Sequence, residues 1–207
     1  MEKREFMDKI TLGTRNVSIE FPGVKALSNV DFEIETGVIH ALMGANGAGK
    51  STLMKVLAGS NPGYTGDVLY NGNPVELRNP AAAKKLGIQI VYQEVDMALI
   101  PTLTVAENVM FNDLVMNMGH KQFVNYGKIR KDAKEALARL NVNIDVRRMC
   151  GTLTLAQKQM VLIARAVQSA CNFLILDEPT APLSDTETEE LFRVVRHLRK
   201  TENLAVI

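Results

Sequence analysis

The sequence predicts an α/β fold in which a mainly parallel sheet follows a small antiparallel β part and carries an inserted helical block. Three observations predict it. Residues near the N-terminus alternate between apolar and polar with period two, which is typical of half-buried strands. Further along, short apolar runs alternate with helical patterns, as in a parallel sheet covered by helices. Finally, helical patterns dominate the stretch between two of these runs, 88–92 and 173–176, which indicates an insertion.

The antiparallel part is predicted from two alternating segments that precede the turn 35–37. Their apolar residues are Val17, Ile19 and Phe21 in the first segment and Val30, Phe32 and Ile34 in the second. The run 38–43 is apolar apart from His40, which predicts a strand covered on both faces. A helical pattern starts at Lys50, and Gly59 is placed to end it.

The middle of the chain carries turn and cap signals between its elements. Asn71 and Gly72 form a tight-turn pair after a short strand, 68–70. Asn79 is placed to cap a short helix that has Pro80 at its first position. Helices are expected from about residue 104, over 129–140 and from Leu155, with a loop over 117–125.

The last part of the chain predicts strand, helix and strand. The apolar strand 173–176 ends at two acids, and Ser184 with Glu187 forms a capping box at the start of an amphipathic helix. Residues 204–207 read as the start of a buried strand, so we expect the sequence to be part of a longer protein.

Composition excludes several classes of protein. The chain has 207 residues, with 24 Lys and Arg against 23 Asp and Glu, a net charge of +1. Such balance argues against a protein that clamps nucleic acid. No apolar run approaches the roughly 20 residues of a membrane-spanning helix. If the protein acts at a membrane, we therefore expect it to act from the cytosolic side. Cys150 and Cys171 lack metal-ligand spacing and are expected to be reduced thiols.

The segment 44–52 reads GANGAGKST, a full match to the G-x-x-x-x-G-K-[ST] phosphate-binding loop of P-loop NTPases. Its glycines let consecutive backbone N–H groups face one anion, Lys50 supplies a charge for the β- and γ-phosphates, and Ser51 can ligate Mg²⁺. The alternative is a glycine-rich turn with a surface lysine. The predicted nucleotide-binding residues of this loop are Gly44, Ala45, Asn46, Gly47, Ala48, Gly49, Lys50, Ser51 and Thr52.

Two acids follow the apolar strand in the segment FLILDEPT, 173–180. This strand delivers Asp177 to the carboxyl edge of the sheet, where ligands of open α/β sheets bind. Asp177 can therefore hold Mg²⁺ through Ser51 or a water, and Glu178 can polarise the water that attacks the γ-phosphate. The alternative is a charge pair at a helix N-terminus.

Together these residues resemble the ATP-binding subunit of ABC transporters. VYQE, 91–94, resembles the Q-loop, LTLAQKQ, 153–159, the family signature, and APLSD, 181–185, the D-loop. The resemblance implies ATP and Mg²⁺ as cofactors, and Lys50, Gln93 and Glu178 as catalytic residues. It places Ser51, Gln93 and Asp177 at the metal. It also implies that Thr154, Ala156 and Gln157 contact the ATP of a second nucleotide-binding domain. Phe21 lies where the family places an aromatic stacked on adenine; the alternative is an ordinary half-buried strand residue.

More narrowly, the segments FPGVKAL, LTVAEN and QMVLIARAV resemble the monosaccharide importer ATPases of bacteria, the ribose and galactose type. In that group two such domains are fused in one longer polypeptide. The resemblance implies that 1–207 is one incomplete nucleotide-binding domain with a helical subdomain at about 96–169. Residues 96–101 are expected to contact a membrane permease, which receives sugar from a periplasmic or extracellular binding protein. The implied function is an ATP-hydrolysing motor for sugar import.

Two departures from the family pattern bear on activity. The usual signature is LSGGQ, whereas here Leu155 and Ala156 replace both glycines. The family's switch histidine follows the strand that begins at Leu204, and none of His40, His120 and His197 can take that role. We therefore expect the isolated chain to bind ATP but to hydrolyse it slowly.

Two alternative functions remain open from the residues. A small nucleotide kinase would also carry a P-loop, although two strands precede the loop here, which disfavours it. A soluble or regulatory ABC-type ATPase that is not coupled to transport would share every motif. The kinase alternative predicts phosphate transfer to nucleoside monophosphates. The alternative of an uncoupled ATPase predicts nucleotide binding without an effect on transport.

Overall fold

The computed structural model describes residues 9–118 and 124–207, and within them the predicted α/β fold is confirmed. The antiparallel sheet consists of β1 (Thr11–Phe21), β2 (Val24–Glu35), β3 (Thr65–Tyr70) and β4 (Asn73–Val75), in the order β2-β1-β3-β4. The parallel sheet consists of β5 (Ile88–Val91), β6 (Phe173–Leu176) and β7 (Ala205–Val206), in that order.

The antiparallel sheet is larger than the sequence predicted. β1 pairs with β2 as expected, and β3 joins the other edge of β1, with Leu12 opposite Tyr70. The turn between β3 and β4 is confirmed, since Asn71 and Gly72 both have positive φ angles, 51° and 72°. This left-handed pair is what a two-residue hairpin needs.

The predicted strand over 38–43 is reduced to a single bridge. Ile39 bridges Val206, and the His40 N–H donates to the Val206 carbonyl at 2.8 Å. The Val206 N–H in turn donates to the Val38 carbonyl at 2.9 Å, so the backbone of this run is hydrogen-bonded on both sides of the bridge. Met43 is 88% exposed, and the expectation of burial on both faces is wrong there.

Eight α-helices are present in the described residues, and two predicted start signals, at Asn79 and at Ser184, are confirmed. They are α1 (Lys50–Leu57), α2 (Pro80–Lys85), α3 (Val95–Ala98), α4 (Val105–Val109), α5 (Phe111–Met118), α6 (Tyr126–Arg139), α7 (Leu155–Gln168) and α8 (Asp185–Glu202). Asn79 caps α2, and the capping box of Ser184 and Glu187 starts α8. The sequence predicts a loop over 117–125, but residues 117 and 118 are helical, since α5 reaches Met118; residues 119–123 lie outside the described ones.

Strand β6 separates two hydrophobic cores. Phe173 and Ile175 belong to the core beneath the antiparallel sheet and α1, whereas Leu174 and Leu176 belong to the core that α4, α6, α7 and α8 share. The strand is therefore buried on both faces, as its continuous apolar run predicted. Helices α3 to α7 all lie between β5 and β6 in sequence. In the described part of the chain, no helix has both the length and the apolar character needed to cross a membrane.

Candidate nucleotide site

The phosphate loop is shaped by glycines at positions that no other residue fits well. Gly47 and Gly49 have φ angles of 81° and 89°. At Gly49 a Cβ would also overlap the carbonyl oxygen of Ala26 and the side chain of Leu27. The same residue precedes α1, whose first turn receives no side-chain cap. The N–H groups at the start of this helix therefore remain available to an anion.

Lys50 is held at the mouth of this loop by the loop's own backbone. Its Nζ donates to the carbonyl oxygens of Gly44 and Ala45, at 2.7 and 2.9 Å. An ammonium group has three donors. Two of them orient the side chain here, so one can be directed to a phosphate oxygen.

Ser51 and Asp177 are brought together from positions far apart in the sequence. The Ser51 hydroxyl donates to Asp177 Oδ1 at 2.9 Å, and Asp177 is only 8% exposed. The backbone N–H of Asp177 donates to the Val91 carbonyl at 3.0 Å, which fixes the acid where β5 and β6 end. A hydroxyl and a carboxylate are hard oxygen donors, and Mg²⁺ commonly takes one or two such protein ligands together with waters and phosphate oxygens. The pair therefore fits this metal.

A cavity of about 430 Å³ lies in front of the loop. Its walls are Phe21 on one side, residues 46–52 on another, and Glu178. Phe21 is 41% exposed at the end of β1, so part of its ring surface is open to a ligand. Glu178 is exposed and has a φ of 47°, a conformation that is costly for a residue with a side chain and that often occurs at functional sites.

Sequence reasoning missed two cavity residues. Val24 and Ala26 lie at alternate positions of β2 and line the cavity beside Phe21. They belong to the FPGVKAL segment, and their period-two spacing places both on one face of the strand. That spacing could have identified them.

Apart from residues that hydrogen-bond to Lys50 or Ser51 of the loop, four predicted site residues are not among those that line this cavity. Gln93 is exposed just after β5, and it is not among the cavity's lining residues. The same holds for Thr154, Ala156 and Gln157 at the start of α7. There the Thr154 hydroxyl accepts from the Gln157 N–H at 3.2 Å, and the Gln157 side chain accepts from the Thr154 N–H at 3.2 Å. Ala156 is 7% exposed, so its methyl group is packed inside the chain while Thr154 is exposed.

A cavity lined by residues 46–52 of a phosphate loop and by an aromatic ring, with a hydroxyl–carboxylate pair beside it on an α/β sheet, defines a P-loop nucleotide-binding domain. The ABC transporter family model matches residues 27–181. The chain belongs to the ABC transporter family.

Individual relatives agree with this assignment. The chain is 44% identical over 196 residues to the ribose import ATP-binding protein RbsA 1 of Rubrobacter xylanophilus, an alignment that covers 95% of this chain and 38% of that protein. Its fold matches MJ1267, an ATP-binding cassette of an ABC transporter in its ADP conformation, with a TM-score of 0.81 and 24% identity over 97% of this chain and 80% of that one. It also matches MJ0796, a bacterial ABC transporter cassette with a dimeric structure, with a TM-score of 0.75 and 25% identity over 94% and 86%.

Proposed function

We propose that this chain is an ATP-binding and ATP-hydrolysing motor domain that powers import of a simple sugar. The observation that carries the proposal is the cavity that the phosphate loop shares with Glu178, where Ser51, one of its lining residues, donates to Asp177. The sugar substrate rests on the similarity to a protein named for ribose import.

The predicted site residues have the following tasks in this mechanism. The loop N–H groups and Lys50 bind the β- and γ-phosphates, and Phe21 stacks on adenine. Ser51 and Asp177 would hold Mg²⁺, which neutralises phosphate charge when it is bound, and Gln93 would approach the metal and the water when its loop moves. Glu178 orients the water and accepts its proton as oxygen bonds to the γ-phosphorus and the bond to ADP breaks. Most of the rate enhancement then comes from positioning and charge stabilisation.

The signature residues are assigned to a second nucleotide-binding domain. Thr154, Ala156 and Gln157 lie outside the cavity lining of their own chain, which supports their acting on a nucleotide held elsewhere. The dimeric structure of MJ0796, whose fold this chain matches, supports the pairing of two such domains. Since this chain spans 38% of its curated relative, we place the second domain in the same polypeptide. Alone, the chain would bind ATP and hydrolyse it slowly.

A second groove, of about 340 Å³, is the proposed contact with a membrane permease. It runs between β5 and α7 and is lined by Tyr92, Ala98 and Leu162 among others. The neighbouring Met97 is largely exposed. A groove beside exposed apolar side chains fits a helix from a partner, and its position just after Gln93 would link that partner to the nucleotide. This arrangement places the protein on the cytoplasmic side of the membrane, with a sugar-binding protein on the other side.

Reconstitution tests the proposed function. The full-length protein, its permease and its sugar-binding protein would be placed in vesicles, and uptake of labelled ribose and galactose would be measured with and without ATP. We expect uptake that requires ATP and all three components. Nucleotide binding with no uptake of either sugar would instead support a regulatory role.

Replacement of Phe21 by alanine is expected to weaken ATP binding by about tenfold, because stacking of a base on an aromatic ring contributes roughly 1–3 kcal/mol. Affinity for inorganic tripolyphosphate should be unchanged, since it has no base. Titration calorimetry on the two ligands measures both effects. The matched control is Phe192→Ala, which removes a ring of similar exposure, 43% against 41%, from α8. Equal loss for both ligands would show that Phe21 acts through folding instead of stacking.

A further inference from the structure

A third groove lies along α6, away from the nucleotide cavity. Its volume is about 760 Å³, within the range of small-molecule sites. It exists because Asn141, with a φ of 56°, turns the chain back after α6 so that 142–147 run beside the helix. The N–H of Val142 donates to the Leu137 carbonyl at 3.1 Å and holds this turn closed.

The wall of the groove is strongly basic. Residues 124–149 carry seven Lys and Arg against three Asp and Glu, a net charge of +4, although the whole chain carries only +1. Two of these cations have structural partners, since Arg139 binds Glu202 and Arg148 donates to the Thr152 carbonyl. Four others line the groove: Arg130, Lys131, Lys134 and Arg147.

Acidic side chains neutralise little of the positive charge of these four residues. Within the described residues, the one ion pair among them joins Lys131 to Glu135 at 3.8 Å, and both side chains are exposed, so it contributes little. The acid that lines the groove is Asp145, and its Oδ1 already accepts from the Arg147 N–H at 3.0 Å. Four cations and one carboxylate along the same groove favour a multiply charged anion.

The floor of the groove adds a second requirement for a ligand, an apolar part. Apolar side chains lie there, among them Val142 and Val146, which are half-buried, and Ile144, which is buried. A ligand that fills the groove therefore needs a phosphate for the rim and a carbon skeleton for the floor. We propose that this groove is a binding site for an organic phosphate, either a free phosphate ester or the headgroup of an anionic lipid.

Nuclear magnetic resonance can show which residues of the chain contact a bound organic phosphate. Phenyl phosphate, which pairs a phosphate with an apolar ring, would be titrated into the ¹⁵N-labelled 207-residue chain. We expect amide shifts within 137–147, separate from any shifts in the phosphate loop at 44–52. In the double variant Arg130→Glu/Lys134→Glu, affinity at 137–147 should fall by roughly tenfold or more, while the response of the loop is retained.

A matched variant and a lipid arm complete the test. Arg193→Glu/Lys200→Glu makes the same charge change on exposed positions of α8 and should leave the response at 137–147 unchanged. Flotation with vesicles of phosphatidylglycerol and phosphatidylcholine shows whether the groove binds an anionic lipid headgroup. The fraction of protein bound to the vesicles is compared between the wild-type chain and Arg130→Glu/Lys134→Glu. Charge-dependent binding of either ligand supports the site. Binding of neither, or binding that the Arg130→Glu/Lys134→Glu variant leaves intact, would overturn it.

Discussion

Replacement of Lys50 by alanine is expected to lower the ATP turnover of the full-length protein by about a hundredfold to a thousandfold. The Lys50 ammonium is fixed at the loop by the Gly44 and Ala45 carbonyls, at 2.7 and 2.9 Å. It is therefore in place before phosphate charge develops, and removal of one preorganised donor of this kind typically costs roughly 2.7–4 kcal/mol of transition-state stabilisation. Steady-state release of phosphate measures the effect, and calorimetry should show weaker ATP binding in the same variant.

Lys55 supplies the control, because it lies on α1 with Lys50 but is not among the residues that line the cavity. Lys55→Ala removes an equal charge from the same helix and should keep turnover within about twofold, as expected for a change outside the special features of the structure. If Lys50→Ala turned over ATP at the wild-type rate, the phosphate loop would not be the catalytic one, whatever its match to the motif.

The parts of the site that the sequence predicted are those that follow local rules. The loop at 44–52 is contiguous, and its glycines have the positive φ angles that the motif needs. The approach of Ser51 to Asp177 spans 126 positions, yet it follows from the rule that ligands of open α/β sheets bind at the carboxyl edge of the strands. The strand that delivers Asp177 was recognisable because a continuous apolar run suits burial on both faces.

The parts that could not be predicted depend on packing between distant segments. The pairing of β3 with β1 depends on long-range register, which no short pattern encodes. The strand expected over 38–43 is a single bridge to Val206, and Met43, directly before the phosphate loop, is largely exposed, which an apolar run does not reveal. Burial of Ala156 is also invisible in the motif, since it follows from how α7 docks in the core.

Replacement of Arg165 by methionine is expected to lower the free energy of unfolding by about 3 kcal/mol, because a half-buried hydrogen-bond network loses its charged donor. Arg165 lies on α7 and donates to the Asn108 carbonyl at 2.6 Å and to the Ala98 carbonyl at 2.7 Å. It also donates to Asn108 Oδ1 at 2.9 Å and lies over the ring of Phe111. Burial lowers the pKa of its guanidinium, because the charged form loses part of its hydration. Methionine keeps the apolar stem but leaves buried carbonyl oxygens of α3 and α4 unpaired.

Urea unfolding followed by circular dichroism measures this loss, with Arg193→Met as the control. Arg193 lies on α8, where its ion pair with Glu190 is exposed on both sides, so its replacement should change the free energy of unfolding by no more than about 0.5 kcal/mol. The two variants remove the same charge and introduce the same side chain, so their difference isolates the buried contacts to α3 and α4. α3 begins two residues after Gln93, and α7 begins within the signature. Loss of the Arg165 contacts should therefore also weaken any coupling between the segment at Gln93 and the signature. Equal stability of the two variants would mean that helix packing alone holds α7 against α3 and α4.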